Sequence, residues 1–236
     1  MSRFDLFWSV HQALQAEAFA VAVGLARADF RADATAAAAR RDESAGDWRA
    51  ACVAARECLA VFHLHAECEE ACVLPVIARL GSFQAADLRT DHTRLEGLES
   101  ELGRLLDVLL DDTNGLEPEP RALVGRRLAE RWRHYVVLQL AHMEREETNG
   151  NRLLWAHCTD EELHAIEAAI VARVPDERRP GILRMFLVSQ SARDQVTMLR
   201  GVMARVPASA WDRATAPARR ALGESTWQRL VAEARS

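Results

Sequence analysis

Two six-residue stretches carry the same set of side chains able to bind a metal ion: His65-Ala66-Glu67-Cys68-Glu69-Glu70 and His142-Met143-Glu144-Arg145-Glu146-Glu147. Both read H-x-x-x-E-E. On an α-helix, residues four apart lie one turn from each other on the same face, so His65 and Glu69 can offer an imidazole nitrogen and a carboxylate oxygen to one point. His142 and Glu146 can do the same from another helix. A lone histidine stands upstream of each stretch, His11 by 54 residues and His92 by 50. Four histidines and two glutamates, divided between two similar halves, point to a metal site in a four-helix core. Imidazole mixed with carboxylate suits iron, manganese or zinc.

The elements that must position these groups follow from apolar periodicity. Residues 4 to about 28 carry Phe7, His11, Leu14, Ala18, Val21 and Leu25 at steps of three and four, the stripe of an amphipathic helix with His11 facing inward. Residues 27–46 have no clean period and are expected to be a connection. A second helix is expected from about Asp47 to Leu80, with Cys58, Phe62, His65, Glu69, Val73 and Val76 inward. His63 and Glu67 form a competing pair on it, but two residues rotate by about 200°, which puts His63 on a polar face. Gly81-Ser82 closes this half.

A third helix, about 84 to 111, has Leu88, His92, Leu95, Leu102, Leu106 and Leu109 as its stripe. Asp111 to Gly115, followed by Pro118 and Pro120, reads as a turn. A fourth helix, about 120 to 157, carries Val124, Leu128, Trp132, Tyr135, Leu138, His142, Glu146 and Leu153 on one side. Tyr135, the chain's single tyrosine, reads as a core residue. Short connections make sequential helices antiparallel, and the depths of the four histidines then fall near one level. Thr159-Asp160-Glu161-Glu162 has the form of a capping box and opens a further helix. Pro175, Pro180, Pro207 and Pro217 cut the rest into short helices. The expected organisation is all-α, with a four-helix bundle over 1–158 and a helical extension over 159–236 that packs, docks a partner or mediates self-association.

Composition narrows the function. Of the 236 residues 49% are hydrophobic, enough for a substantial core. A net charge of −5 without a basic stripe argues against nucleic acid as a partner. No apolar run approaches the ~20 residues of a membrane span, and the first residues lack a signal peptide's apolar core. Cys52, Cys58, Cys68, Cys72 and Cys158 are odd in number and form no C-x-x-C pair, which suits reduced, mostly buried thiols in a cytoplasmic protein.

The order H … H-x-x-x-E … H … H-x-x-x-E resembles the haemerythrin-like (HHE cation-binding) family over about residues 5 to 157. Leu74-Pro75 after the first motif and Asp91-His92 in the third helix add to the likeness. The stretch from Glu146 through Trp155 to Leu163 is similar to bacterial members with a C-terminal helical extension. The resemblance implies an up-down-up-down bundle around a non-haem pair of iron ions joined by an oxo or hydroxo bridge and bridging carboxylates. The implied ligands are His11, His65, Glu69, His92, His142 and Glu146. Zinc and manganese are alternatives for the same donors. Oxygen-carrying members have H-x-x-x-H in the third helix, where this chain has Glu96. Glu96 is expected to be a third carboxylate ligand, or an acceptor for a neighbouring imidazole N–H. Their final motif is H-x-x-x-x-D, against H-x-x-x-E here. More carboxylate should favour the ferric state and weaken reversible O2 carriage.

The expected function is therefore di-iron chemistry with O2 or small oxidants, in sensing, storage or protection. The alternatives are an enzyme that consumes peroxide or nitric oxide, and an iron- or redox-responsive interaction module with 159–236 as its output.

Overall fold

The structure, a computed structural model, describes residues 3–32, 47–81, 84–111, 113 and 115–236. Most of the connection expected over 27–46, Ser82 of the first closing turn, and Asp112 and Asn114 of the second lie outside the described residues. Regular structure is helical throughout, and no strand forms among the described residues. The chain's contacts divide it into two compact units: residues 17–157, and residues 1–16 together with 158–236.

The 17–157 unit begins within α1 (Trp8–Arg27). It continues through α2 (Trp48–Cys72), the short α3 (Leu74–Arg79), α4 (Gln84–Leu110) and α5 (Pro118–Arg145). A five-residue π turn, Glu146–Gly150, then leads into α6 (Asn151–His157). Asp47 caps α2 by accepting from the backbone N–H groups of Arg49 and Ala50, so the chain enters that helix at a defined residue. α2 packs on α4, and α4 packs on α5. Leu88, Leu95, Leu102, Leu106 and Leu109 of α4 are buried, as are Leu128, Trp132 and Tyr135 of α5. Trp132 donates its indole N–H to the Ala18 carbonyl at 3.1 Å, fixing α5 against α1 within the core. At the far end Arg121 donates to the carbonyls of Phe30 and Ala32 and lies over the Trp48 ring, which ties the end of the first helical segment to α2 and α5.

Two departures from simple periodicity have local causes. The second helix does not run straight to Leu80. It breaks at Val73, with Pro75 in the first turn of α3, because a proline ring has no N–H to continue the ladder. The break rotates the following residues, so Ile77 rather than Val76 is fully buried. The fourth helix likewise passes through the π turn, where the Asn151 N–H bonds to the Glu146 carbonyl five residues back. One extra residue in that turn moves the inward register by one, which buries Asn151 and Leu154 instead of Leu153.

The other unit contains α7 (Asp160–Arg173), α8 (Arg179–Ser189), α9 (Ala192–Arg205), α10 (Ala208–Leu222) and α11 (Glu224–Arg235). Thr159 and Glu162 form the expected reciprocal capping box at the start of α7. Leu187, Leu199, Ala218, Trp227 and Leu230 form this unit's own core. The N-terminal segment belongs to it: Arg3 pairs with Asp160 at 2.7 Å, Phe4 stacks on His164, and the Ser9 carbonyl accepts from Gln190.

Candidate metal centre

The 17–157 unit draws titratable side chains from α2, α4, α5 and the π turn to one buried place. Glu69 and Glu146 are both essentially without solvent exposure, and His92 and His142 are buried beside them. One ligand-capable atom from each of Glu69, His92, His142 and Glu146 lies within 4.8 Å of the others. His65, Glu69 and Glu146 approach one another within the same limit. The two carboxylates are thus common to a side holding His65 and a side holding His92 and His142.

Individual atom pairs show how the helices achieve this. His65 Nε2 is 3.1 Å from Glu69 Oε1, and His142 Nε2 is 3.4 Å from Glu146 Oε2, each across one helical turn. His92 arrives from α4 with Nε2 3.4 Å from Glu69 Oε2. The choice between His65 and His63 is decided by rotation. His65 is largely buried, whereas the His63 side chain is 55% exposed and stands near Glu67 and Glu99. His11 is fully buried on α1, its ring 5.5 Å from that of Phe7, and it belongs to the unit of residues 1–16 and 158–236.

Glu96 is not drawn in. It is exposed on α4 and belongs to neither group of ligand atoms. The inward line of α4 passes from His92 to Leu95, Glu99 and Leu102, and a step of four from His92 carries Glu96 past that line towards solvent. Glu99 occupies the inner edge instead, with a side chain only 13% exposed. It accepts a 2.7 Å hydrogen bond from the Tyr135 hydroxyl, whose oxygen also accepts from Gln139. Burial first, and then the Glu99 carboxylate, push the Tyr135 hydroxyl well above its ordinary pKa.

Electrostatics make the cluster costly as a purely organic core. Burial, reinforced by the Glu69, Asp91 and Glu147 carboxylates, pushes the Glu146 carboxyl well above the usual carboxylate range. Burial also holds His142 down to about 4, with His92 and His65 lowering it further against the opposing pull of Glu69. His142 is therefore neutral near pH 7, with a lone pair to offer. His92 is raised: burial lowers it, but its contacts with Glu69 and Glu70 outweigh that effect. The Nε2 atoms of His92 and His142 are 3.0 Å apart. Two lone pairs at that distance repel unless a proton or a cation lies between them. A cation would also offset the two buried carboxylates, whose burial as charges is otherwise expensive. Nitrogen and oxygen donors of this kind suit a transition-metal ion, so this buried His/Glu group can hold one.

Two residues that the ligand pattern alone did not single out lie directly against the cluster. Glu70 Oε1 is 2.9 Å from His92 Nδ1, and Asp91 Oδ2 is 3.6 Å from His142 Nδ1. Each neighbours a cluster residue in sequence, Glu70 after Glu69 and Asp91 before His92, which is the signal by which they could have been found. The cysteines do not contribute to the two groups. Burial raises the Cys52 thiol to about 12 and the Cys58 thiol higher still, leaving both as inert packing groups.

Compared with protein-family models, with curated proteins and with solved structures, the chain matches none.

Proposed function

We propose that this chain is a haemerythrin-like protein in which α1, α2, α4 and α5 form an antiparallel up-down-up-down bundle around two iron ions, and that it binds O2 or reacts with small oxidants. The observation that carries the proposal is the sharing of Glu69 and Glu146 between the His65 side and the His92–His142 side of the cluster. Two carboxylates common to two histidine-bearing sides would suit a pair of adjacent ions, with Glu69 and Glu146 open to either. His65 would serve one ion, and His92 with His142 the other. His11, buried on α1, is proposed as the second histidine on the His65 side, which balances the donor count. Glu96 is left out of the ligand set.

When bound, the metal pair would supply redox and Lewis-acid chemistry towards O2, peroxide or nitric oxide. The chain's own part is to hold its donors in a dry, preformed geometry. Burial of His142, Glu69 and Glu146 excludes bulk water, and the depressed pKa of His142 keeps it available as a donor near pH 7. In this reading the protein works in the cytoplasm. None of the described helices is long and apolar enough to cross a membrane. The 1–158 bundle and the 159–236 extension are proposed as its functional divisions, the extension offering the surface for a protein partner or a second copy.

Elemental analysis of protein purified without chelators tests the proposal, read beside its near-ultraviolet spectrum. About two irons per chain, with charge-transfer bands that shift on exposure to O2, peroxide or nitric oxide, is the expected result. A stoichiometry that persists after Glu69 and Glu146 are both replaced by Gln would place the metal elsewhere and sink it. Zinc in the same stoichiometry would keep the site but remove the redox function.

A further inference from the structure

Outside the cluster, two short chains of charged groups repeat the same order. On one side Arg89 lies with Nε 3.4 Å from Glu70 Oε2, and Glu70 Oε1 is 2.9 Å from His92 Nδ1. On the other, Arg145 pairs with Asp91, and Asp91 Oδ2 stands 3.6 Å from His142 Nδ1. Each arginine is three residues from the histidine it backs, Arg89 before His92 on α4 and Arg145 after His142 on α5. The carboxylates are partly exposed, with side-chain exposures of 39% for Glu70 and 22% for Asp91, while the imidazoles they face are buried.

We infer that Glu70 and Asp91 are positioning residues that fix the tautomer and orientation of His92 and His142, turning both Nε2 lone pairs towards the metal site. This rests on the metal-binding reading above. A cation in the cluster would hold His92 in its neutral form, and a neutral imidazole has one N–H and one lone pair. Nδ1 is the nitrogen within hydrogen-bond distance of a carboxylate, 2.9 Å from Glu70 against 3.4 Å between Nε2 and Glu69, so the hydrogen belongs on Nδ1. Nε2 is then left bare, and it faces Glu69 and His142. Glu70 reaches this position because it follows Glu69 on α2: one residue turns the helix by about 100°, so Glu69 points into the cluster and Glu70 towards the edge of α4. Asp91 plays the same part for His142 from farther away, at ion-pair rather than hydrogen-bond distance. A carboxylate on the far nitrogen also makes the near nitrogen a stronger donor to a cation, and removing such a partner typically weakens metal binding about 10–100-fold. An exposed ion pair alone would contribute little. What makes these pairs consequential is that each ends on a buried ring whose other nitrogen faces the cluster.

The test uses the full chain labelled with 15N-histidine, before and after loading with zinc, which is diamagnetic and redox-silent. Long-range 1H–15N spectra report the tautomer, and zinc titration reports affinity. In the zinc-loaded wild type His92 is expected to carry its hydrogen on Nδ1. In Glu70→Leu the His92 tautomer becomes mixed and zinc affinity falls about 10–100-fold. Glu70→Gln keeps an acceptor but no charge, so it retains the Nδ1–H form and loses affinity by less than the leucine variant. Asp91→Leu moves His142 in the same direction with a smaller effect. Unchanged His92 tautomer and unchanged zinc affinity in Glu70→Leu, with intact helical circular dichroism, would overturn the inference. Should that variant not fold, Glu70→Gln binding zinc as tightly as the wild type would overturn it instead. A tautomer that responds to Glu70 in a protein taking up no metal would uphold the positioning role and reject the metal reading.

Discussion

Glu146 combines full burial with three carboxylate neighbours, and its behaviour with pH separates a metal-dependent core from an ordinary one. In metal-free protein the folded chain keeps the Glu146 proton at pH values where the unfolded chain has released it. Folding stability then falls as pH rises from the ordinary carboxylate value through the raised one. His92, raised above 6.5, acts in the same direction above that value. His142, lowered from 6.5 to about 4, acts in the opposite sense, but only between those two values. Above pH 6.5 the chelated protein is therefore expected to lose thermal stability with rising pH, and calorimetry across that range checks the slope. A flat or rising profile would contradict it. Glu146→Gln, a neutral isostere of the protonated acid, should lessen the decline, leaving the share of His92, and should lower the metal content read by elemental analysis.

Among the elements, two helical glycines that look alike in sequence are expected to respond to alanine with opposite signs. A Cβ at Gly125 of α5 would clash with the Phe30 ring, whereas one at Gly103 of α4 would meet nothing within 4 Å. Alanine favours a helix interior by roughly 0.5–1 kcal/mol over glycine. Gly103→Ala should gain about that much. At Gly125 the displaced ring outweighs the gain, and overpacking of this kind costs about 1–3 kcal/mol. Urea denaturation of both variants measures the pair, and a stabilised Gly125→Ala would show that Phe30 is free to move. The π turn is the other element with a testable consequence. Deleting Thr148 or Asn149 should restore α-helical spacing with Asn151 and Leu154 still inward, whereas inserting one alanine there should rotate both by about 100° out of the core. Loss of buried Leu packing costs on the order of 2–5 kcal/mol, and the same denaturation experiment reads it.

At the scale of the molecule, the 17–157 unit contains the cluster, and the proposed ions are ligands that only the folded chain can bind. At a free concentration about a hundred times the dissociation constant, one such site adds about 2.7 kcal/mol to folding stability. For a chain of this size that raises the unfolding midpoint by about 5–10 °C, and a chelator should reverse it. The unit formed by residues 1–16 and 158–236 has its own aromatic and aliphatic core, in which the Trp211 and Trp227 rings lie 6.1 Å apart. Periodicity assigns residues 4–7 to the first helix, but that helix begins at Trp8. The contacts of Arg3, Phe4 and Ser9 with Asp160, His164 and Gln190 join segments more than 150 residues apart, and no local pattern announces such pairings.

The sequence by itself determined the helices and their inward faces, because a repeat near 3.6 residues places buried side chains without knowledge of any partner. It also determined that His65 and not His63 faces the core, and that His65 with Glu69 and His142 with Glu146 form pairs, since these are contacts within one turn. The tertiary structure decided the rest. Only packing of α2 on α4 and α4 on α5 could bring His92 to 3.4 Å from Glu69 and 3.0 Å from His142. Only the drift of the α4 stripe shows Glu96 turned to solvent and Glu99 turned to Tyr135. The breaks at Val73 and Glu146 shift register by a residue or less than a turn, a change that periodicity averaged over a whole helix smooths away. Local spacing fixes which groups share a face. Which faces meet is settled by contacts distant in sequence.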